Sequence, residues 1–203
     1  MVPMISGALK PAVTRLINPV ARLALQIGLT PNSVTVLGAT GLVTSAFYFY
    51  TDEKFFIGTL MITVFSLSDL FDGAMARISE KGSSLWGGFL DSTIDRITDS
   101  AIIIAILIPL ISMKDSLVPV ALVTLVTGLL IPYIRAKAES FNIQCAVGIA
   151  ERTERLIILL TAIGLHGLGL PYALPVGLWL LAVLGVITVI QRVRTVFIGL
   201  HSS

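Results

Sequence analysis

Asp69-Leu70-Phe71-Asp72-Gly73-Ala74-Met75-Ala76-Arg77 and, nine residues further on, Gly87-Gly88-Phe89-Leu90-Asp91-Ser92-Thr93-Ile94-Asp95 constrain the architecture of this chain more than any other segment. Asp69 and Asp72 are three residues apart, Asp91 and Asp95 four apart, so each pair shares one face of a helix. The flanking segments, Phe55 to Leu67 and Ala101 to Leu110, are almost wholly apolar. A carboxylate inside a membrane-spanning helix costs about 2.5–3.5 kcal/mol on insertion scales, so it ordinarily has a partner and a function. A short connection, about 78–85, makes the two helices antiparallel neighbours whose acidic faces can oppose each other. Four carboxylates are then expected to converge in one pocket near a membrane surface.

The rest of the chain agrees with a membrane setting. Of 203 residues 55% are hydrophobic and only 13% charged, and mean hydropathy is +0.94. A body of this size cannot hide such an excess, which rules out a water-soluble monomer. Cys145, the only cysteine, rules out a disulfide scaffold, and a net charge of +2 is too small to indicate a nucleic-acid partner. Runs long enough to cross about 30 Å of hydrocarbon fall at about 33–50, 55–77, 86–111, 116–134, 153–170 and 172–190. The predicted fold is therefore all-α and polytopic, a single domain over 1–203 with a six-span core over 33–190. An even span count puts both termini on one side. Of the fourteen basic residues only Lys54 and Lys114 then fall on the opposite side, which makes the termini and the acidic pocket cytoplasmic and the membrane the cell membrane. Ahead of the spans, Leu9, Val13, Leu16, Val20, Leu23 and Ile27 form an apolar stripe opposite Lys10, Thr14, Asn18, Arg22 and Gln26. That pattern predicts an amphipathic helix over 5–28 lying among membrane lipids at the interface.

Four carboxylates so close repel unless cations neutralise them. All-oxygen ligation suits Mg²⁺ or Mn²⁺, and four carboxylates have the capacity for two ions, the arrangement used for in-line displacement at phosphorus. The plainer alternative, ion pairs with Arg77 and Arg96, leaves more aspartates than arginines. A cation transporter built on the same carboxylates is the competing functional class, but the apolar outer halves of the second and third spans offer it no polar path.

The spacing of Asp69, Asp72, Gly73, Ala76, Arg77, Gly87, Asp91 and Asp95 resembles the signature of the CDP-alcohol phosphotransferases. The resemblance implies that the phosphatidyl group of CDP-diacylglycerol passes to an alcohol and CMP leaves. It implies two Mg²⁺ ions (Mn²⁺ being the alternative) on Asp69, Asp72, Asp91 and Asp95, with Asp95 also the general base. Gly73 and Arg77, together with Asp69, would contact the cytidine diphosphate beside the turn Asn32-Ser33-Val34-Thr35. A serine hydroxyl from Ser83 or Ser84 joins them, with Ser84 favoured by counting back from Gly87. It also implies a homodimer. Asp99 continues the four-residue step outside the signature and is expected to support Arg96 or Arg77.

Arg135, Arg155 and Arg192 flank the loop between the fourth and fifth spans and the end of the sixth. Arginine suits a bidentate grip on phosphate, and the accompanying Glu139, Glu151 and Glu154 are not what a simple lipid-attracting collar needs. The acceptor is therefore expected to be a phosphorylated polyol. The runs Arg135-Ala136-Lys137-Ala138-Glu139, Gly148-Ile149-Ala150-Glu151-Arg152-Thr153-Glu154-Arg155 and Gln191-Arg192 resemble the actinobacterial phosphatidylinositol phosphate synthase branch of the family. That resemblance implies myo-inositol 1-phosphate as acceptor, its phosphate held by Arg135, Arg155 and Arg192. Glycerol 3-phosphate, giving phosphatidylglycerophosphate, is the alternative.

Overall fold

The computed structural model describes residues 18–79 and 84–201, and among them every regular element is helical. Residues 18–26 form helix α1. It is followed by α2 (Pro31–Ser45), which runs on as a π-helical turn (Ala46–Tyr50), and by α3 (Phe55–Ser66), α4 (Ser68–Ile78), α5 (Leu85–Ser112), α6 (Val118–Glu139), α7 (Arg152–Gly167) and α8 (Ala173–His201). These helices coincide closely with the six runs read from sequence. The first half of the stripe expected over 5–28, and Ser83, lie outside the described residues.

Among the described residues, four segments are long and apolar enough to span a bilayer by length and composition: Pro31–Tyr50, Phe55–Ile78, Val118–Glu139 and Ala173–His201. The two further spans read from sequence are helices of different character. Towards its start α5 carries Asp91, Asp95, Arg96 and Asp99, which dilute its apolar length. Helix α7 has 16 residues, or about 24 Å at 1.5 Å per residue. Large apolar side chains face outward on the long helices, among them Leu60, Val64, Val126, Trp179 and Val183, as expected where the surrounding medium is hydrocarbon rather than water. The chain is a multi-pass membrane protein.

The chain divides into two compact units. The first comprises Met1–Thr44 and Ile62–Ile97. Its core is small: Ala21 of α1 packs on Ala74 and Met75 of α4, with Leu25, Val34 and Phe71 around them. Alanines at the contact let helices approach closely. The apolar stripe of α1 is its outward side, with Val20, Leu23 and Ile27 52%, 60% and 71% exposed. Helix α2 lies so close to the α3–α4 junction that a Cβ on Gly38 would fall 1.9 Å from the Ser68 Oγ. That junction, at Leu67 between α3 and α4, follows Ser66, whose hydroxyl donates to the Thr63 carbonyl at 2.8 Å. Such local bonding weakens a helix just ahead of the first acidic pair.

The second unit comprises Ser45–Met61 and Thr98–Ser203. Helix α8 packs against both α6 and α7, and Ile102, Ile106, Ile163, Leu178 and Leu181 are fully or almost fully buried. Helix α7 opens with a reciprocal cap: the Glu151 side chain accepts from the backbone of Glu154, and the Glu154 carboxylate accepts the Glu151 N–H at 2.8 Å. Glu139 pairs with Arg135 at 3.0 Å. The three glutamates that the sequence reading set apart from a simple collar thus have local structural tasks, so they no longer speak for a particular ligand.

Candidate active site

Within the first unit, α1, α2, α4 and the start of α5 enclose a cavity of about 790 Å³, inside the range typical of small-molecule sites. Two helix N-termini open onto it. At α2, Thr30 and Ser33 cap each other: the Ser33 N–H donates to the Thr30 Oγ1 at 3.1 Å, and the Thr30 N–H donates to the Ser33 Oγ at 2.9 Å. At α5, the Ser84 Oγ accepts the Gly87 N–H at 2.9 Å. Thr30, Pro31, Asn32, Ser84, Gly87 and Gly88 line the cavity. Unpaired N–H groups and the positive end of the dipole make helix N-termini favourable places for anionic oxygen. A Cβ on Gly87 would lie 3.1 Å from the Ser84 Oγ and 3.2 Å from the Asn32 Oδ1, so a side chain there would press on both N-termini.

The acidic side of the cavity carries Asp72, Asp91 and Gly73. Asp72 is 8% exposed, and the hydroxyl of Thr35, itself 5% exposed, donates to its Oδ2. Asp69 and Asp91 are near enough for their charges to act on Asp72, so α4 and α5 bring three of the four signature carboxylates into one electrostatic neighbourhood. Asp95, one turn beyond Asp91, has Arg96 at 3.4 Å. Among the described residues no three His, Cys, Asp or Glu side chains are gathered tightly enough to chelate one ion. As a donor set, Asp69, Asp72, Asp91 and Asp95 offer only carboxylate oxygen, which fits a hard divalent cation.

Of the residues expected around the nucleotide, Asn32, Thr35, Gly73 and Ser84 line the cavity. The Arg77 Nη1 lies 3.6 Å from the point where a Cβ on Gly73 would sit. The side chains of two others meet partners of their own. The Ser33 hydroxyl is taken up in the α2 cap, also donating to the Thr30 carbonyl at 2.7 Å, and Val34 packs into the Ala21–Met75 core. Both sit in the first turn of α2, where three successive side chains cannot point the same way. The reading did not give Thr35 its place beside Asp72, which depends on how two helices cross.

In the second unit, Arg192 is buried (7% exposed). Its Nε–H donates to the Val147 carbonyl at 2.9 Å and its Nη1–H to the Ile131 carbonyl at 2.6 Å, tying the α6–α7 loop to α6. Arg135, Glu139 and Glu151 are close enough to act on its charge. The Arg155 Nη1–H donates to the Ala150 carbonyl at 3.1 Å. Asp99 pairs with Arg152 of α7 at 3.3 Å.

The CDP-alcohol phosphatidyltransferase family profile matches residues 28–196, and this chain belongs to that family. The phosphatidylinositol phosphate synthase of Mycobacterium tuberculosis (strain ATCC 25618 / H37Rv) is 42% identical over 200 residues, 96% of this chain and 90% of that protein. The synthase of the same name from Streptomyces avermitilis is 41% identical over 192 residues, 90% of this chain and 78% of that protein. A crystal structure of the Mycobacterium tuberculosis enzyme with CDP-DAG bound is similar at a TM-score of 0.85 and 43% identity, covering 90% of this chain and 94% of that one. Another, in complex with manganese and citrate, has a TM-score of 0.84 at 42% identity, covering 89% and 88%. The chain is therefore an enzyme of the CDP-alcohol phosphotransferase type, a membrane-embedded transferase of phospholipid biosynthesis, and the transporter reading falls away.

Proposed function

We propose that this enzyme transfers the phosphatidyl group of CDP-diacylglycerol to a hydroxyl of myo-inositol 1-phosphate, giving phosphatidylinositol phosphate and CMP. The acceptor oxygen attacks the phosphorus that carries the diacylglycerol, the bond from that phosphorus to CMP breaks in line, and the hydroxyl proton passes to Asp95. Asp69, Asp72, Asp91 and Asp95 would hold two divalent ions, Mg²⁺ or Mn²⁺, which when bound offset charge developing on the phosphates. The N-termini of α2 and α5 receive anionic oxygen of the pyrophosphate. Gly73 leaves room on α4, Arg77 contributes a cation, and Asn32, Thr35 and Ser84 border the nucleotide. Arg135, Arg155 and Arg192 hold the acceptor phosphate. A general base must reach the attacking hydroxyl, and the resemblance to the family's signature gives that task to Asp95.

The observation that carries the reading is the shared cavity. Two capped helix N-termini and the signature residues Asp72, Gly73, Gly87 and Asp91 face the same space. The names of the relatives above, all phosphatidylinositol phosphate synthases, and the basic loop support the choice of acceptor. The same reading takes the chain as one domain over 1–203 with six spans over 33–190. It places an interfacial helix over 5–28, both termini and the site on the cytoplasmic side of the cell membrane, and two copies in a homodimer. Release of CMP by the purified protein, with CDP-diacylglycerol, Mg²⁺ and either inositol 1-phosphate or glycerol 3-phosphate, tests it. Release with inositol 1-phosphate is expected. Release with glycerol 3-phosphate alone would overturn the acceptor assignment.

A further inference from the structure

Between α6 and α7 the chain runs back along α8, and three of its residues meet that helix in turn. A Cβ on Gly199 would lie 3.0 Å from the Ile143 Cγ2, the Cys145 Sγ lies 3.9 Å from the Arg192 carbonyl oxygen, and Gly148 sits on Thr188. The last contact is the tightest. A Cβ on Gly148 would fall 2.7 Å from the Thr188 Cγ2, and Thr188 is fully buried, so its methyl has little room to withdraw. The backbone at Gly148 also has φ +145°, a conformation that residues with a side chain rarely adopt. Two separate constraints therefore keep a side chain off this position. Val147, just before it, turns its carbonyl to the Arg192 Nε–H at 2.9 Å, while the Ile131 carbonyl of α6 takes the Nη1–H at 2.6 Å. Neither bond uses Nη2. The Glu151–Glu154 cap fixes the chain from Glu151 onward, whereas the place of the Val147 carbonyl depends on how Gly148 seats against α8.

We infer that Gly148 is a positioning residue: by letting the loop seat on Thr188 it sets the Val147 carbonyl against Arg192, and so holds the guanidinium with its Nη2 edge toward the phosphate of the acceptor. The inference rests on the proposed phosphorylated acceptor. Arg135, the neighbouring cation assigned to the same phosphate, is near enough for its charge to act on Arg192. Like charges push apart, so a guanidinium released by the loop would swing away from Arg135, and the two would no longer converge on one anion. A residue with a side chain at 148 would lift Val147 from α8 and release it. The nucleotide cavity is built wholly from residues of the first unit, so the loss falls on acceptor capture.

The test is steady-state CMP release by detergent-solubilised Gly148→Ala, Arg192→Lys and the double variant, with CDP-diacylglycerol binding and thermal unfolding measured alongside. Gly148→Ala is expected to raise the KM for inositol 1-phosphate about tenfold while kcat stays within about twofold and CDP-diacylglycerol binding is unchanged. Arg192→Lys keeps the cation but has no Nε–H for Val147. In that background Gly148→Ala is expected to raise the KM by less than about twofold further, because the interaction it acts through is already gone. Adding Thr188→Ala to Gly148→Ala removes the obstructing methyl, leaving the Thr188 Cβ position at an ordinary 3.8 Å, and is expected to recover part of the loss. An unchanged KM, a fall confined to kcat, or the same rise in KM with and without the Arg192 guanidinium would overturn the inference and leave Gly148 a purely structural glycine. Should Gly148→Ala fail to fold, Gly148→Ala with Thr188→Ala takes its place in the same comparison, and a wild-type KM there would equally overturn it. Wild-type protein that uses glycerol 3-phosphate instead would overturn the inositol assignment while the same KM comparison, run on that acceptor, still judges Gly148. Wild-type protein that uses only an unphosphorylated alcohol would overturn both.

Discussion

Replacing Thr35 by valine removes one hydroxyl and preserves shape, and the hydroxyl lost is the one donated to Asp72. Asp72 is 8% exposed, so water cannot readily take its place. A hydrogen bond to a charged group contributes about 1.5–3 kcal/mol, which at about 1.4 kcal/mol per decade is roughly 10- to 150-fold. Loss of a group that orients a metal ligand independently leads to about 10- to 100-fold in metal affinity or activity, so the two routes give the same magnitude. The assay is CMP release as a function of free Mg²⁺ or Mn²⁺. Thr35→Val is expected to shift the half-saturating metal concentration upward by one to two decades, roughly, with much of the rate regained at saturation. Thr35→Ser, which keeps the donor, is expected to stay close to wild type. A Thr35→Val enzyme with unchanged metal dependence would refute the claim that this hydroxyl orients a metal ligand.

Other substitutions probe separate parts of the account. Asp95→Asn is expected to abolish turnover while leaving CDP-diacylglycerol binding largely intact, and near-full CMP release by the variant would remove its assignment as base. Gly87→Val places side-chain atoms where even a Cβ meets Ser84 and Asn32 at 3.1 and 3.2 Å; overpacking of about 1–3 kcal/mol is expected to weaken CDP-diacylglycerol binding by roughly 5- to 150-fold, read by isothermal titration. Arg155→Ala is expected to raise the acceptor KM with a small change in melting temperature. Arg192→Ala is expected to raise that KM and also to lower the melting temperature distinctly, because the Val147 and Ile131 carbonyls lose their donor at about 1–3 kcal/mol for each group left unsatisfied.

The helices and the acidic signature were legible in the sequence because both are written in local spacing. Apolar run length located α2 to α7 and the start of α8, which runs on to His201 rather than ending near 190, and steps of three and four placed Asp69 with Asp72 and Asp91 with Asp95. Run length was less informative for α5 and α7, where composition and helicity part company: the acids of α5 interrupt an otherwise apolar helix, and α7 is short for a span. Contacts between residues distant in sequence were not legible. Thr35 and Asp72 are brought together by the crossing of α2 and α4, and Asp99 and Arg152 by the approach of α7 to α5. Glu151 and Glu154 had a visible three-residue cap spacing, but in the company of so many arginines they read as part of a charged patch. Ser33 and Val34 belong to one turn by sequence, but which partner each side chain meets, the cap for one and the core for the other, depends on how α2 packs.

The central claim is that carboxylates from α4 and α5 jointly hold divalent ions. Mn²⁺ binding to the purified protein, followed by the loss of the free-ion electron paramagnetic resonance signal, tests it most directly when wild type is compared with Asp72→Asn and Asp91→Asn, one substitution on each helix. The account predicts saturable binding in wild type and severe weakening in both variants. Equal Mn²⁺ uptake by all three proteins, or none by folded wild type, would contradict it.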